Sequence, residues 1–198
     1  MVPLNVPNVL TVVRILLVPV LVVALLAKTG DGDLLAAIVF AVASVTDAID
    51  GYLARSQGWV TTFGKLMDPI ADKLLIVAAL VALVSLSRLA AWVAMVIIAR
   101  EFAVTVLRVA VGAQQGIVMA AGPLGKLKTA CQVAMVMALI IAGRPVPDGV
   151  NALVYVTVAV TVLSGADYFF GIFRLGGEKR AAGSGGRVEP GPPARVDS

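Results

Sequence analysis

Asp47, Asp50, Asp68 and Asp72 are the residues whose type and spacing could do chemistry. They lie in one stretch, Asp47-Ala-Ile-Asp50-Gly51-Tyr-Leu-Ala54-Arg55, followed after eight residues by Gly64-Lys-Leu-Met-Asp68-Pro69-Ile-Ala-Asp72. The chain around them is apolar enough to sit in lipid. There one carboxylate costs roughly 2.5–3.5 kcal/mol on insertion scales, and four cost about 10–14 kcal/mol if left uncompensated. Two divalent cations would cancel four negative charges. Two oxygen-bound metals roughly 3.5–4 Å apart clamp a phosphoryl centre and stabilise the attacking and leaving oxygens together. Mg2+ in particular takes one or two carboxylates plus substrate phosphates.

Helices can position these groups. Asp47 and Asp50 are spaced i, i+3, and Asp68 and Asp72 are spaced i, i+4, so each pair shares a helix face. Gly51 and Ala54 are small enough for a neighbouring helix or a nucleotide to approach the backbone closely. Pro69 fits the first turn of a third helix, where its missing N–H costs nothing, and Thr61 or Thr62 offers a hydroxyl cap upstream. The plain alternative for these carboxylates is helix capping inside polar cavities.

Composition narrows the chemistry further. The chain has 198 residues, of which 60% are hydrophobic and 14% charged, against about 25% charged in soluble domains. Its mean hydropathy is +0.98. That is the composition of an all-α integral membrane protein. There is no histidine and one cysteine, Cys131. Intrachain disulfides, imidazole or thiolate metal sites and histidine bases are excluded, which leaves oxygen-held Mg2+, Mn2+ or Ca2+. Arg14 interrupts the first apolar run and no basic segment precedes it, so this run reads as a retained helix rather than a cleaved signal.

Six apolar segments reach spanning length: Val9 to Ala27, Leu34 to Ala54, Pro69 to Leu86, Leu89 to Val111, Leu127 to Ala142, and Val150 to Phe170. Turn chemistry separates them at Thr29 to Asp33, Gly122-Pro123 and Gly143 to Gly149. Six spans put both termini on one side. Arg55, Lys65, Arg108, Lys126, Lys128 and the basic tail fall on that side, against Lys28, Arg88 and Arg144 on the other. The positive-inside rule then predicts a multi-pass protein of the inner or plasma membrane with cytoplasmic termini and the aspartates at the cytoplasmic face. Residues 1–175 form one catalytic membrane domain on this reading. Residues 176–198 are a basic, Gly/Pro-rich, disordered tail.

The pattern Asp-x2-Asp-Gly-x2-Ala-Arg-x8-Gly-x3-Asp-x3-Asp resembles the signature of the CDP-alcohol phosphotransferases, and residues 47–72 match it at every fixed position. The resemblance implies a six-helix bundle that moves a phosphatidyl group from a CDP-linked lipid to an alcohol and releases CMP. It implies that Asp47, Asp50 and Asp68 hold two divalent cations, Mg2+ or Mn2+. Asp72 would be the general base and touch one metal, while Gly51 and Arg55 contact the nucleotide, with Thr61 nearby. A homodimer is also implied. Independently of the family, Arg55 at the membrane boundary could neutralise a pyrophosphate oxygen or serve as a positive-inside anchor.

The acceptor must be read from other residues. Glu101, Thr105 and Arg108 form a stripe at i, i+4, i+7 on the fourth helix. Gly125-Lys126-Leu-Lys128-Thr129 opens the fifth, where i, i+3 spacing favours Lys126 over Lys128 as the partner of Thr129. Cations near a helix N-terminus suit a phosphate, which points to an anionic acceptor; the alternative is that they are only cytoplasmic anchors. Pro7-Asn8-x-Leu10-Thr11-x2-Arg14, Arg100-Glu101-Phe102 with Leu107-Arg108, and Gly125-Lys-x-Lys-Thr129 are similar to the phosphatidylglycerophosphate synthase branch of the family. That branch implies CDP-diacylglycerol as donor and sn-glycerol 3-phosphate as acceptor, with Asn8, Thr11 and Arg14 lining the nucleotide or lipid-headgroup site. Its acceptor phosphate would meet Arg108, Lys126, Thr105 and Thr129. Inositol phosphate, serine or another phosphatidyl acceptor would make the chain a sibling enzyme. An intramembrane acidic cluster also suits a cation transporter, although no internal repeat accompanies it. Nucleic acid is not an expected partner.

Overall fold

The structure, a computed structural model, describes the backbone of residues 6–27, 31–57, 62–115 and 123–184, and the side chains of 9–27, 31–47, 73–111 and 124–171. Six helices follow one another: α1 (Val6–Leu26), α2 (Gly32–Gln57), α3 (Thr62–Ser85), α4 (Ala91–Gln115), α5 (Pro123–Ala142) and α6 (Asp148–Ser184). Each contains one expected apolar segment, but the ends differ. Pro69 lies two turns inside α3 rather than in its first turn. Lacking an N–H, it makes no helical bond to the carbonyl four residues earlier. Pro123 does occupy a first helical position, four residues ahead of the expected start of α5. At the other end, α6 runs to Ser184, beyond Gly176 where the tail was expected to begin.

Helical periodicity decides which side of each element is inside. Thr11, Arg14, Leu21 and Leu25 of α1 are buried, as are Ala36, Phe40 and Ala43 of α2 and Ile76, Leu80 and Leu83 of α3. These are steps of three, four or seven residues, one face per helix. The opposite faces expose Leu16, Val23, Leu34, Val81, Met95, Leu163 and Phe170. Apolar residues that large on an outer surface are suited to hydrocarbon rather than water. Among the described residues, Val9–Leu26, Leu124–Ala142 and Asp148–Gly171 are each long and apolar enough to cross a membrane.

Packing closes the helices into a ring. α1 packs on α2 and α3, α2 on α5, α5 on α6, α6 on α4, and α4 on α3. Contacts of α3 with α5 and α2 cross its interior. Alanines at 36, 37, 43, 79 and 82 allow close approach in this region. At the α3–α4 corner, Ser87 has φ of 54°. Its N–H bonds Val84 O and the N–H of Arg88 bonds Leu83 O, both at 2.9 Å, the pair of bonds that ends a helix in a Schellman motif.

Candidate active site

The backbone carries all four aspartates on helices, two on α2 and two on α3, at the spacings that put each pair on one face. Of their side chains, Asp47 is among the described residues. The side chains of Asp50, Gly51, Arg55, Asp68 and Asp72, and that of Asn8, lie outside them, and Thr61 lies outside them altogether.

Asp47 is ion-paired with Arg14 of α1, Nη1 to Oδ1 at 2.6 Å. Arg14 is 1% exposed and Thr11, one turn earlier, is equally buried. Arg14 therefore does not snorkel; its guanidinium turns inward against the acidic helix. The carboxylate side chain keeps 37% of its surface open, so Arg14 compensates part of the charge and leaves room for another ligand. Hard oxygen donors in pairs on two contacting helices, one still accessible, fit a divalent cation. Asp47, Asp50, Asp68 and Asp72 are the residues that would hold it.

Asp47 lines a cavity of about 530 Å3 bounded by α2, α3, α4 and α5. One part is polar, with Lys73, Glu101, Lys128, Thr129 and Gln132; much of the remainder is aliphatic, including Ile97, Val133 and Met137. Lys73 directly follows the last aspartate of the motif in the chain. A chamber with charged groups at one part and hydrocarbon walls beyond suits a ligand that is part phosphate and part lipid.

The candidate acceptor residues separate. Thr129 reaches the cavity wall, where its hydroxyl also donates to Gly125 O at 3.2 Å. Lys126 is exposed and does not line the chamber, whereas Lys128 is 6% exposed and does. The spacing argument for Lys126 as the neighbour of Thr129 is thus corrected to Lys128. The reason is the inward stripe of α5, which continues from Lys128 through Gln132, Met135 and Leu139. Arg108 is exposed, with its guanidinium 5.5 Å from the Tyr168 ring centroid on α6. The Thr105 hydroxyl donates back to Glu101 O at 2.7 Å along its own helix. Neither Arg108 nor Thr105 lines the chamber.

Gln132 and Ser164 belong to this polar region without having stood out in the sequence, and Arg100 joins them there. Arg100 Nη2 donates to Ser164 Oγ of α6 at 2.7 Å, and Gln132 Nε2 donates to Glu101 Oε1 at 3.3 Å. A legible signal did exist for Lys128 and Gln132: both interrupt the apolar stripe of α5 at an i, i+4 step.

Comparison with known proteins adds to this geometry. The family model for CDP-alcohol phosphatidyltransferase matches residues 4–163. The chain is 43% identical to the CDP-diacylglycerol–glycerol-3-phosphate 3-phosphatidyltransferase of Bacillus subtilis, over 83% of this chain and 93% of that protein. It is 41% identical to a Mycobacterium tuberculosis protein named "Probable phosphatidylglycerophosphate synthase", over 90% of this chain and 87% of the relative. A Rickettsia felis protein with the same name as the Bacillus relative is 35% identical, over 83% of this chain and 93% of that protein.

Proposed function

This chain belongs to the CDP-alcohol phosphatidyltransferase family, and from that premise we propose that it transfers a phosphatidyl group from CDP-diacylglycerol to sn-glycerol 3-phosphate. The names of relatives at 43% and 41% identity support this choice of donor and acceptor. The observation that carries it is the shared chamber: Asp47 of the motif and the buried Lys128 face one cavity whose remaining wall is largely hydrocarbon.

The reaction is a displacement at phosphorus. The primary hydroxyl of glycerol 3-phosphate forms a new O–P bond to the phosphorus bearing diacylglycerol, the P–O bond to CMP breaks, and phosphatidylglycerophosphate and CMP leave. Asp72 takes the hydroxyl proton. Asp47, Asp50 and Asp68, together with Asp72, would hold divalent cations, Mg2+ or Mn2+, which would neutralise charge on the diphosphate. Arg14 orients Asp47 through their ion pair. Gly51 and Arg55 meet the nucleotide, with Thr61, Asn8 and Thr11 around it. Lys128 and Thr129 meet the acceptor phosphate, and Arg108 and Lys126 draw anions toward the entrance from the exposed surface.

All six helices cross the bilayer in this reading. The shortest, α5 with 20 residues, is about 30 Å long at 1.5 Å per residue, the thickness of the hydrocarbon core. The basic residues expected at the Asp47 end support, by the positive-inside rule, a reading with that end and both termini in the cytoplasm at a plasma membrane. The test is an assay of purified protein with labelled CDP-diacylglycerol and a panel of alcohols. Turnover with glycerol 3-phosphate is expected; turnover with inositol phosphate or serine instead would overturn the acceptor assignment.

A further inference from the structure

The residues that line the chamber differ in exposure from helix to helix. Those on α3 and α4 are buried or half-buried, whereas Val45 on α2 and Thr129, Ala130 and Ala134 on α5 are exposed. Thr129 adjoins Lys128 at the polar part. Ala130 and Ala134 continue along α5 at an i, i+4 step, and Ala134 lies about 9 Å of helix rise beyond Lys128. Val45 is 57% exposed and stands two residues before Asp47. Among the described lining residues, then, the chamber opens sideways between α2 and α5 as well as at its polar part.

The flank outside this opening is apolar. Ile38 and Val42 continue the exposed face of Val45 along α2, and Ile141, two turns on from Ala134, continues that of α5. Such a surface suits hydrocarbon. Straight ahead the chamber is closed. About one turn further from the polar groups, Phe40, Leu80, Val93 and Leu139 are at most 1% exposed and form a packed floor.

A lipid donor gives the side opening a purpose. Pockets of roughly 300–1,000 Å3 hold one drug-sized ligand. The chamber's volume of about 530 Å3 therefore has no room for a diphosphate, an acceptor and two whole tails. Each methylene drawn from hydrocarbon into water shifts an equilibrium by about fourfold, which bars long tails from an aqueous mouth. With the floor packed, the tails leave by the flank. Alanine at 130 and 134 keeps that flank open, since a longer side chain would fill it.

We propose that the tails of the lipid donor leave the chamber sideways between α2 and α5, and that Ala134 is a specificity-determining residue whose small side chain lets them pass. This rests on the reading of CDP-diacylglycerol as donor.

The experiment measures KM for CDP-dioleoylglycerol, for CDP-dibutyrylglycerol and for glycerol 3-phosphate on the purified full chain in mixed micelles, together with Tm. The dibutyryl donor has the same headgroup and tails too short to run far along the slot. Ala134→Phe is expected to raise KM for the dioleoyl donor roughly tenfold or more, the scale of about two methylenes losing their place in hydrocarbon. KM for the dibutyryl donor and for glycerol 3-phosphate stays within about twofold, a split that a general loss of packing would not produce. Ala134→Ser, which adds little bulk, leaves all three KM values within about twofold. If Ala134→Phe does not fold, Val45→Trp narrows the slot from α2, and a rise of about threefold or more in the dioleoyl KM alone is expected. A dioleoyl KM that stays level in the folded variant overturns the proposal, as does an equal rise for both donors. A variant whose oligomeric state changes while its KM values hold shows the flank to be a contact between copies, and also overturns it. Wild-type protein inactive with CDP-dioleoylglycerol would sink the donor reading and this proposal with it. Wild-type turnover with an unmoved KM in the variants sinks this proposal alone.

Discussion

Arg88 offers a perturbation whose size follows from geometry and whose location separates stability from chemistry. It leaves the α3–α4 turn and meets Asp33 in the first turn of α2 through two parallel bonds, Nη1–Oδ1 and Nη2–Oδ2, both 2.8 Å. Nη1 also donates to Ile140 O at 3.1 Å, one of the last four carbonyls of α5, which lack intrahelical donors. Asp33 keeps 39% of its side chain exposed, so the ion pair itself is screened and contributes only about 0–1 kcal/mol. Ile140 is fully buried, and leaving its carbonyl without a donor costs about 1–3 kcal/mol. Arg88→Ala therefore destabilises by about 1–4 kcal/mol, or roughly 2–16 °C in Tm for a chain of this size. Arg88→Lys keeps one charged donor and loses about half as much. Asp33→Asn loses least, because Ile140 stays capped. Circular dichroism melts in detergent read the series. Asp33 precedes Asp47 by 14 residues on α2, about 21 Å of rise, so kcat and both KM values stay at wild-type levels below the transition. An Arg88→Ala melt within about 1 °C of wild type would refute the reasoning. So would an Asp33→Asn loss equal to it.

Three further outcomes are expected. Ser87→Gly relieves the left-handed conformation at φ 54° and raises Tm by about 2–4 °C, since a side chain there costs roughly 1 kcal/mol; an unchanged or lower Tm contradicts this. Lys128→Met raises KM for glycerol 3-phosphate roughly 30-fold or more, the scale of losing a buried charged contact. Lys126→Met changes it less than about fivefold, as for an exposed and screened charge, and steady-state kinetics that reverse this order would return the phosphate to Lys126.

The helix count and the aspartate spacing were legible because they depend on local rules: apolar runs of spanning length and the 3.6-residue turn. The start of α3 was not. Proline is tolerated at a helix start, so Pro69 looked like one, while the chain continues the helix back to Thr62. Nor could local rules choose between Lys126 and Lys128. Their angular separation was readable, but which one faces inward depends on where α2, α3 and α4 stand around α5. The Arg14–Asp47 pair joins residues 33 positions apart on separate helices, and no periodicity within either helix encodes it. Glu101 was visible as part of a stripe on α4, yet its bonds run to Lys128 and Gln132 of α5 rather than along that stripe to Arg108.

The most direct measurement is CMP release from CDP-diacylglycerol by the purified protein, with Mg2+ or Mn2+ and glycerol 3-phosphate each supplied or withheld, in wild type and Asp72→Asn. CMP is expected only when cation and acceptor are both present, and release in the variant falls by at least 100-fold while its Tm stays at the wild-type value, the scale expected on losing a general base. CMP release that persists in excess chelator, or that Asp72→Asn leaves intact, would contradict a metal-assisted transfer at the paired aspartates.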